Sequence, residues 1–244
     1  MVEQYSSQTF GASHKFRVGQ ASGLSLTTAQ VARRPTVSVF RDRGGMSHTT
    51  VTMEPNTRPF APISHVLGRC IMPIYALGDR VPSIHPTAFV HPEAVIIGSV
   101  TIGAESSIWP TAVLRGDTSF IEVGDRTSIQ DGTVIHCTSE LPTRIGNDCV
   151  VGHNAHLEGC TVEDHCLIGS GSVVLHKVIV RTRSLVGASA LVPNGTEVPT
   201  GAMALGVPCK IKHDAVADGA FQYAVDMYVA RGHEYRATLR RLDY

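Results

Sequence analysis

The chain has 244 residues, enough for one or two domains, and its lysine plus arginine and aspartate plus glutamate balance at 21 each. That neutrality argues against the basic footprint of a nucleic-acid binder or a polybasic membrane surface, and no apolar run approaches the roughly 18 residues of a membrane-spanning helix. Six cysteines (70, 137, 149, 160, 166 and 209) form no C-x-x-C pair; they read as small buried hydrophobes and, with no sign of an oxidising compartment, as reduced thiols.

Residues 1–71 carry eight basic and three acidic residues, a net +5 that leaves −5 for the remainder. The stretch is rich in Ser and Thr and lacks the apolar core of a secretory signal, so composition reads it as disordered. Three accounts of it compete. Its Arg- and Ser-rich, acid-poor character suits an organellar transit peptide, which would make the protein mitochondrial. It also suits an ordinary tail, or an extension upstream of the natural start in a cytoplasmic protein. Met46, Met53 and Met72 are in-frame alternatives, and Met72-Pro-Ile-Tyr, just before the regular part of the chain, favours the last account.

From Ile84 onward aliphatic residues recur every six positions. Ile84, Val90, Ile96, Ile102, Ile108 and Leu114 form the first run, Val123, Ile129 and Ile135 the second, and Ile145, Val151 and Leu157 the third. Val162, Ile168, Val174, Val180, Val186, Val192, Val198 and Ala204 complete the ladder. A period of six fits neither an amphipathic helix nor an alternating strand. It fits a hexapeptide parallel β-helix, an all-β prism in which three hexads make one coil, here over residues 72–212. Faces A, B and C then hold Val123, Ile129 and Ile135 in one coil and Ile145, Val151 and Leu157 in the next. Breaks of the period near Thr118–Ile121 and Ser139–Arg144 predict protruding corner loops.

The ladder places distant polar residues beside one another. The residue after each face C aliphatic runs Ile97, Arg115, His136, Glu158, Leu175, Pro193; stacked strands lie about 4.8 Å apart, so His136 and Glu158 can share one metal ion. The residue two after each face B aliphatic runs Pro110, Asp131, His153, Ser170, which sets the Asp131 carboxylate against His153 as an orienting partner. His153 lies on a different face from His136 and Glu158. A three-fold ring, in which face B of one subunit meets face C of the next, brings the two faces to one ion. Beyond His213 the pattern changes: Phe221, Val225, Tyr228 and Val229 recur at helical spacing, so residues 213–244 are expected to hold a helix packed on the prism.

Leu114-Arg-Gly-Asp117, Ile129-Gln-Asp-Gly132, Val134-Ile-His136, Val151-Gly-His153 and Glu158-Gly-Cys160 resemble the motifs of the γ-class carbonic anhydrases, over about Met72 to Tyr235. The resemblance implies a left-handed β-helix, a homotrimer, and zinc held between subunits for hydration of carbon dioxide to bicarbonate. It implies His136 as one zinc ligand and His153 as the ligand from the neighbouring subunit. Arg115 and Asp117 match the family's Arg–Asp pair, Gln130 and Asp131 its active-site Gln and Asp, and Tyr223 resembles its pocket tyrosine. The family's third ligand is a histidine where this chain has Glu158, a departure. Two histidines and a glutamate are nevertheless an established zinc set, with iron(II) or cobalt(II) suited to the same donors and His156 as the alternative third ligand. The anionic carboxylate predicts a higher pKa for coordinated water than three neutral imidazoles would. Structural readings stand beside these: Arg115–Asp117 as an intersubunit salt bridge, Gln130 and Asp131 as residues satisfying a tight corner. Two other functions share the ladder. One is a hexapeptide acyltransferase, which also shares Gly206-Val-Pro208; the other is a non-catalytic trimeric scaffold.

Overall fold

The computed structural model of the protein describes residues 34–41, 47–54 and 73–242. Arg34–Arg41 and Ser47–Glu54, both rich in β-branched residues, pair antiparallel with Arg34 opposite Glu54. This ladder lies inside the 1–71 stretch whose composition reads as disordered; the rest of that stretch is outside the described residues.

From Ile74 the chain winds as a parallel β-solenoid. Face B stacks seven parallel rungs in order: Phe89–Val90, Ser107–Ile108, Ser128–Ile129, Val150–Val151, Leu167–Ile168, Leu185–Val186 and Met203–Leu205. On face C, Leu114, Ile135, Leu157, Val174 and Val192 are register partners in succession. On face A, Ile102, Val123, Ile145, Val162, Val180 and Val198 are. These are the three columns that the six-residue period requires. Faces A and C join into one sheet because the strands Val95–Ile102 and Val113–Val123 run without a break around their shared corner.

Each hexad repeats one local solution. The aliphatic points inward and, from Ile96 onward, is at most a few per cent exposed. Three residues later the backbone turns the corner in the left-handed region, at Glu105, Arg126, Asp148, His165 and Arg183 along one edge. The next residue is small and buried: Ser106, Thr127, Cys149, Cys166 and Ser184. The hydroxyls among them are satisfied by backbone, as when Thr127 Oγ1 donates to the Gly146 carbonyl at 2.7 Å and Ser184 Oγ to that of Pro199 at 2.6 Å. Cys149 and Cys166 fill the same corner column as free thiols.

Two departures from regularity shape the site. Gly98 pairs with Gly116, but Val100 pairs with Ile121, so the second strand bulges by three residues. A Cβ on Gly116 would lie 2.4 Å from the Ser99 carbonyl oxygen; only glycine allows the two backbones to approach this closely. The second is a loop closed by the Thr138 N–H donating to the Leu141 carbonyl at 3.0 Å. After the last rung, Lys210–Lys212 returns antiparallel to Met203–Leu205.

The helix occupies Gln222–Thr238, later than the change of pattern at His213. It lies on face B, burying Val225 and Gly232. Its Tyr228 and Tyr235 meet Trp109 edge-on at 5.8 and 5.1 Å between ring centres, and Tyr235 also meets Phe89 at 5.8 Å. Arg126 binds Asp226 of the helix at 2.6 Å. No helix among the described residues is long and apolar enough to cross a membrane.

Candidate metal centre

Arg115 and Asp117 are two apart on the strand Val113–Val123, so both side chains leave the same side. They form a close ion pair, with Arg115 Nη1 donating to Asp117 Oδ2. One rung on, His136 is the register partner of Arg115, and Glu158 that of His136. The imidazole of His136 sits between two carboxylates, with Nε2 3.1 Å from Asp117 Oδ1 and Nδ1 2.8 Å from Glu158 Oε1. The side chains of His136 and Glu158 are 18% and 22% exposed, buried enough to strengthen electrostatics and open enough to admit a ligand.

Thr143 fastens the two rungs from the side. Its buried hydroxyl donates to the His136 carbonyl and accepts the Gly159 N–H at 2.8 Å.

Charges in the column are mutually adjusted. For Asp117, burial pulls the carboxyl pKa up, but hydrogen bonds from Arg115 and His136 and the Arg115 charge outweigh it and hold the group below its ordinary value. For Glu158, burial again acts upward and is overcome by the His136 hydrogen bond and by the charges of His136, His176 and His156.

Glu158 has two further neighbours. Its Oε2 lies 3.6 Å from His156 Nε2 and 3.5 Å from His176 Nε2. Sequence reading gave His156 only an alternate role and His176 none. Their positions place them near Glu158 without reporting the contact: His156 is two residues before Glu158 on the same outward side and His176 is two after the face C aliphatic Val174.

On face B, His153 Nδ1 meets Asp131 Oδ2 at 3.0 Å, and the His153 side chain is half exposed. Nδ1 is thus engaged, while Nε2 has no partner among the described residues. Gln130 is buried beside this pair. The helix roofs an open groove of about 300 Å³ lined by Trp109, Asp131, Met227, Tyr228 and Arg231. Burial, and then the Asp131 charge, push the Tyr228 phenol pKa up. Tyr223 is 82% exposed, so the tyrosine that faces Asp131 is Tyr228.

Within one chain the two groups stay on their separate faces, and among the described residues no three His, Cys, Asp or Glu side chains are gathered to hold a metal ion. The donor chemistry still fits a borderline divalent cation: two imidazoles and a carboxylate, each already oriented by a neighbour. An ion at His136 would take over one of the two carboxylate contacts that its ring now makes.

A three-faced parallel solenoid with this six-residue register defines a hexapeptide-repeat protein, and the family model "Bacterial transferase hexapeptide (six repeats)" matches residues 142–176. The chain is 43% identical over 138 residues to gamma carbonic anhydrase 2, mitochondrial, of Arabidopsis thaliana, covering 54% of this chain and 50% of that one. It is 37% identical over 139 residues to the carnitine operon protein CaiE of Escherichia coli K12, covering 57% and 71%. A crystal structure of a putative acetyltransferase from Bacillus cereus superposes with a TM-score of 0.66 at 32% identity, covering 67% of this chain and 96% of the other. The protein belongs to the hexapeptide-repeat family. It spans about half the length of the Arabidopsis relatives.

Proposed function

We propose that the protein is a zinc-dependent hydratase converting carbon dioxide to bicarbonate. Its ion would be held between the subunits of a homotrimer by His136 and Glu158 of one subunit and His153 of the next. The observation that carries this reading is the division of donors. His136 and Glu158 are in register on face C, while His153, oriented by Asp131, leaves Nε2 free on another face. A ligand held ready with nothing among the described residues of its own chain to bind suits a neighbouring subunit.

The bound ion would supply Lewis acidity and lower the pKa of coordinated water. The chain's own residues do the rest. Arg115, held by Asp117 and 44% exposed, presents a guanidinium to the forming carboxylate anion, for which its planar fork is suited. Asp117 and Glu158 fix the plane of the His136 ring. Asp131, with Oδ2 3.0 Å from His153 Nδ1, would orient that ring. Gln130, buried and next to Asp131 in sequence, would supply an amide for orienting the nucleophile. Tyr228, kept protonated by burial and by Asp131, offers a donor at the wall of the groove.

The names of the family model and of the B. cereus neighbour favour a second reading, acyl transfer from an acyl-CoA. Such chemistry wants a catalytic histidine on a loop, whereas His136 and His156 lie on strands within reach of carboxylates. A scaffold without activity is the third. The compartment follows residues 1–71: the relatives named mitochondrial and the basic, Ser-rich composition suit import, and an alternative start suits the cytoplasm.

Subunit mixing tests the assignment. His136→Ala and His153→Ala are each expected to lose the intersubunit ion and carbon dioxide hydration. Refolded together in equal amounts, they should regain about a quarter of the wild-type sites, because in a closed ring one pairing in four joins the two intact halves. Restoration of none refutes an intersubunit site. Intact metal sites without hydration favour the scaffold, and coenzyme A binding in place of hydration favours acyl transfer.

A further inference from the structure

We propose that His156, Glu158 and His176 of a single subunit form a second site for a borderline transition-metal cation such as zinc, cobalt(II), nickel(II) or copper(II), distinct from the intersubunit one. Two distances carry the argument. His156 Nε2 and His176 Nε2 lie 3.6 and 3.5 Å from the same oxygen, Glu158 Oε2. Those separations are too long for N–H···O hydrogen bonds, which cluster at about 2.7–3.2 Å. They are close to the edge of a coordination tetrahedron: bonds of about 2.0–2.1 Å at the tetrahedral angle put two ligand atoms roughly 3.3–3.4 Å apart. The other carboxylate oxygen behaves differently, making an ordinary hydrogen-bond contact of 2.8 Å with His136 Nδ1.

The second observation is an orphaned donor. His176 Nε2 is a buried atom with no hydrogen-bond partner. Burying a polar nitrogen unsatisfied is unfavourable, and a cation is a partner that would remove that cost. The ring lies over Gly159, whose Cβ, if it had one, would sit 3.0 Å from His176 Cδ2. Gly159 is also at φ +60, a conformation that other residues adopt reluctantly. The absence of a side chain at 159 therefore lets a histidine from the following rung swing against Glu158.

The three groups do not enclose an ion as they stand, so binding includes a rotation of the side chains. Both rings have room for it, at 38% and 34% exposed. Two imidazoles and one carboxylate are donors for borderline cations and discriminate against magnesium and calcium, which prefer oxygen. Whether Glu158 then bridges two ions rests on the intersubunit reading above; the His156–Glu158–His176 site does not.

The test counts ions. The full chain is stripped with a chelator, titrated with cobalt(II), and its cobalt measured per subunit by mass spectrometry and by visible absorption. Wild type is expected to take two per subunit. The double variant His156→Ala/His176→Gln should take one, and His153→Ala should take one, with different absorption spectra because the surviving sites differ. Circular dichroism and gel filtration check that the variants keep the fold. Equal cobalt in wild type and the double variant overturns the second site. One ion that survives in His153→Ala and vanishes in the double variant upholds it while removing the intersubunit reading. One ion with the reverse behaviour removes the second site alone, and no bound cobalt in wild type removes both. Anomalous scattering from cobalt-loaded crystals must place the second ion against Glu158 Oε2; density elsewhere also overturns the proposal.

Discussion

The rungs around Leu114, Ile135 and Leu157 and those around Val174 and Val192 use one hexad and one register, yet they expose opposite chemistry. In the column after the face C aliphatic, the early rungs place Arg115, His136 and Glu158 and the later ones Leu175 and Pro193. The early rungs are also where the period breaks, at the bulge between Gly116 and Ile121 and the loop at 138–142. The later rungs run at six residues without interruption. A solenoid rung contacts only its neighbours, so a stretch can accept insertions and charged columns while the regular stretch beside it keeps its own packing. The inner aliphatics are equally buried in both halves; what differs is the outer surface, which the fold leaves unconstrained.

That comparison can be broken by emptying the core under each half. Ile135→Ala removes a fully buried side chain directly inside His136, and large-to-small core changes of this kind cost about 2–5 kcal/mol. The expected outcome in urea denaturation is a loss in that range together with weakened metal binding. Val192→Ala, equally buried but in a plain rung, should destabilise less and leave metal binding unchanged. If Val192→Ala disturbs the ion as much as Ile135→Ala does, the two halves are not energetically separable.

How far the sequence went depends on what was being counted. The six-residue period specifies backbone columns, so the prism, its register and the Arg115–His136–Glu158 column were legible, as was the pairing of Asp131 with His153. Counting columns says nothing of how far a side chain reaches across a rung. His156 and His176, the one two places before Glu158 and the other from the following rung, converge on its carboxylate by side-chain length, and no period reports that. The N-terminal ladder, Arg34–Arg41 with Ser47–Glu54, lies inside the stretch that net charge and Ser/Thr content, weighed over a long window, read as disordered; two short β-branched runs are diluted in such a window. The helix offers the opposite lesson. At 3.6 residues per turn, Tyr228 is three residues from the buried Val225 and shares its face, whereas Tyr223 is two residues away and projects from another side, so helical phase separates the two tyrosines.

Removing the hydroxyls of these two tyrosines sharpens the comparison at the roof of the site. Tyr228→Phe keeps the ring packing against Trp109 and deletes the donor that faces Asp131. A hydrogen bond is worth about 1 kcal/mol, so a roughly fivefold fall in kcat/KM for hydration is expected, with metal content unchanged. Tyr223→Phe, on an 82% exposed side chain, should leave kcat/KM within twofold. Equal effects, or a larger one at Tyr223, would assign the pocket role to Tyr223.

The smallest expected difference between the halves is electrostatic and appears in acid. Asp117 and Glu158 both have carboxyl pKa values below the ordinary range in the folded chain, where hydrogen bonds and neighbouring cationic groups overcome the effect of burial. A carboxyl whose pKa is lower folded than unfolded binds its proton more readily once unfolded. Its stabilising contribution is therefore complete above the ordinary carboxylate value and is lost as pH falls through the folded one. Both side chains are partly exposed, so solvent screening limits each contribution to well under about 1 kcal/mol. For the metal-free protein, the midpoint in urea is expected to hold from pH 7 to about pH 5 and then to drop toward pH 3. The variant Asp117→Asn should show a shallower drop, because it has removed one of the two protons taken up. Leu175 and Pro193 contribute no titrating group at the equivalent places, so a substitution there, such as Leu175→Ala, should shift the midpoint at every pH alike. An acid limb as steep in Asp117→Asn as in wild type would show that the column's charges are balanced by solvent and leave its geometry without an electrostatic consequence for stability.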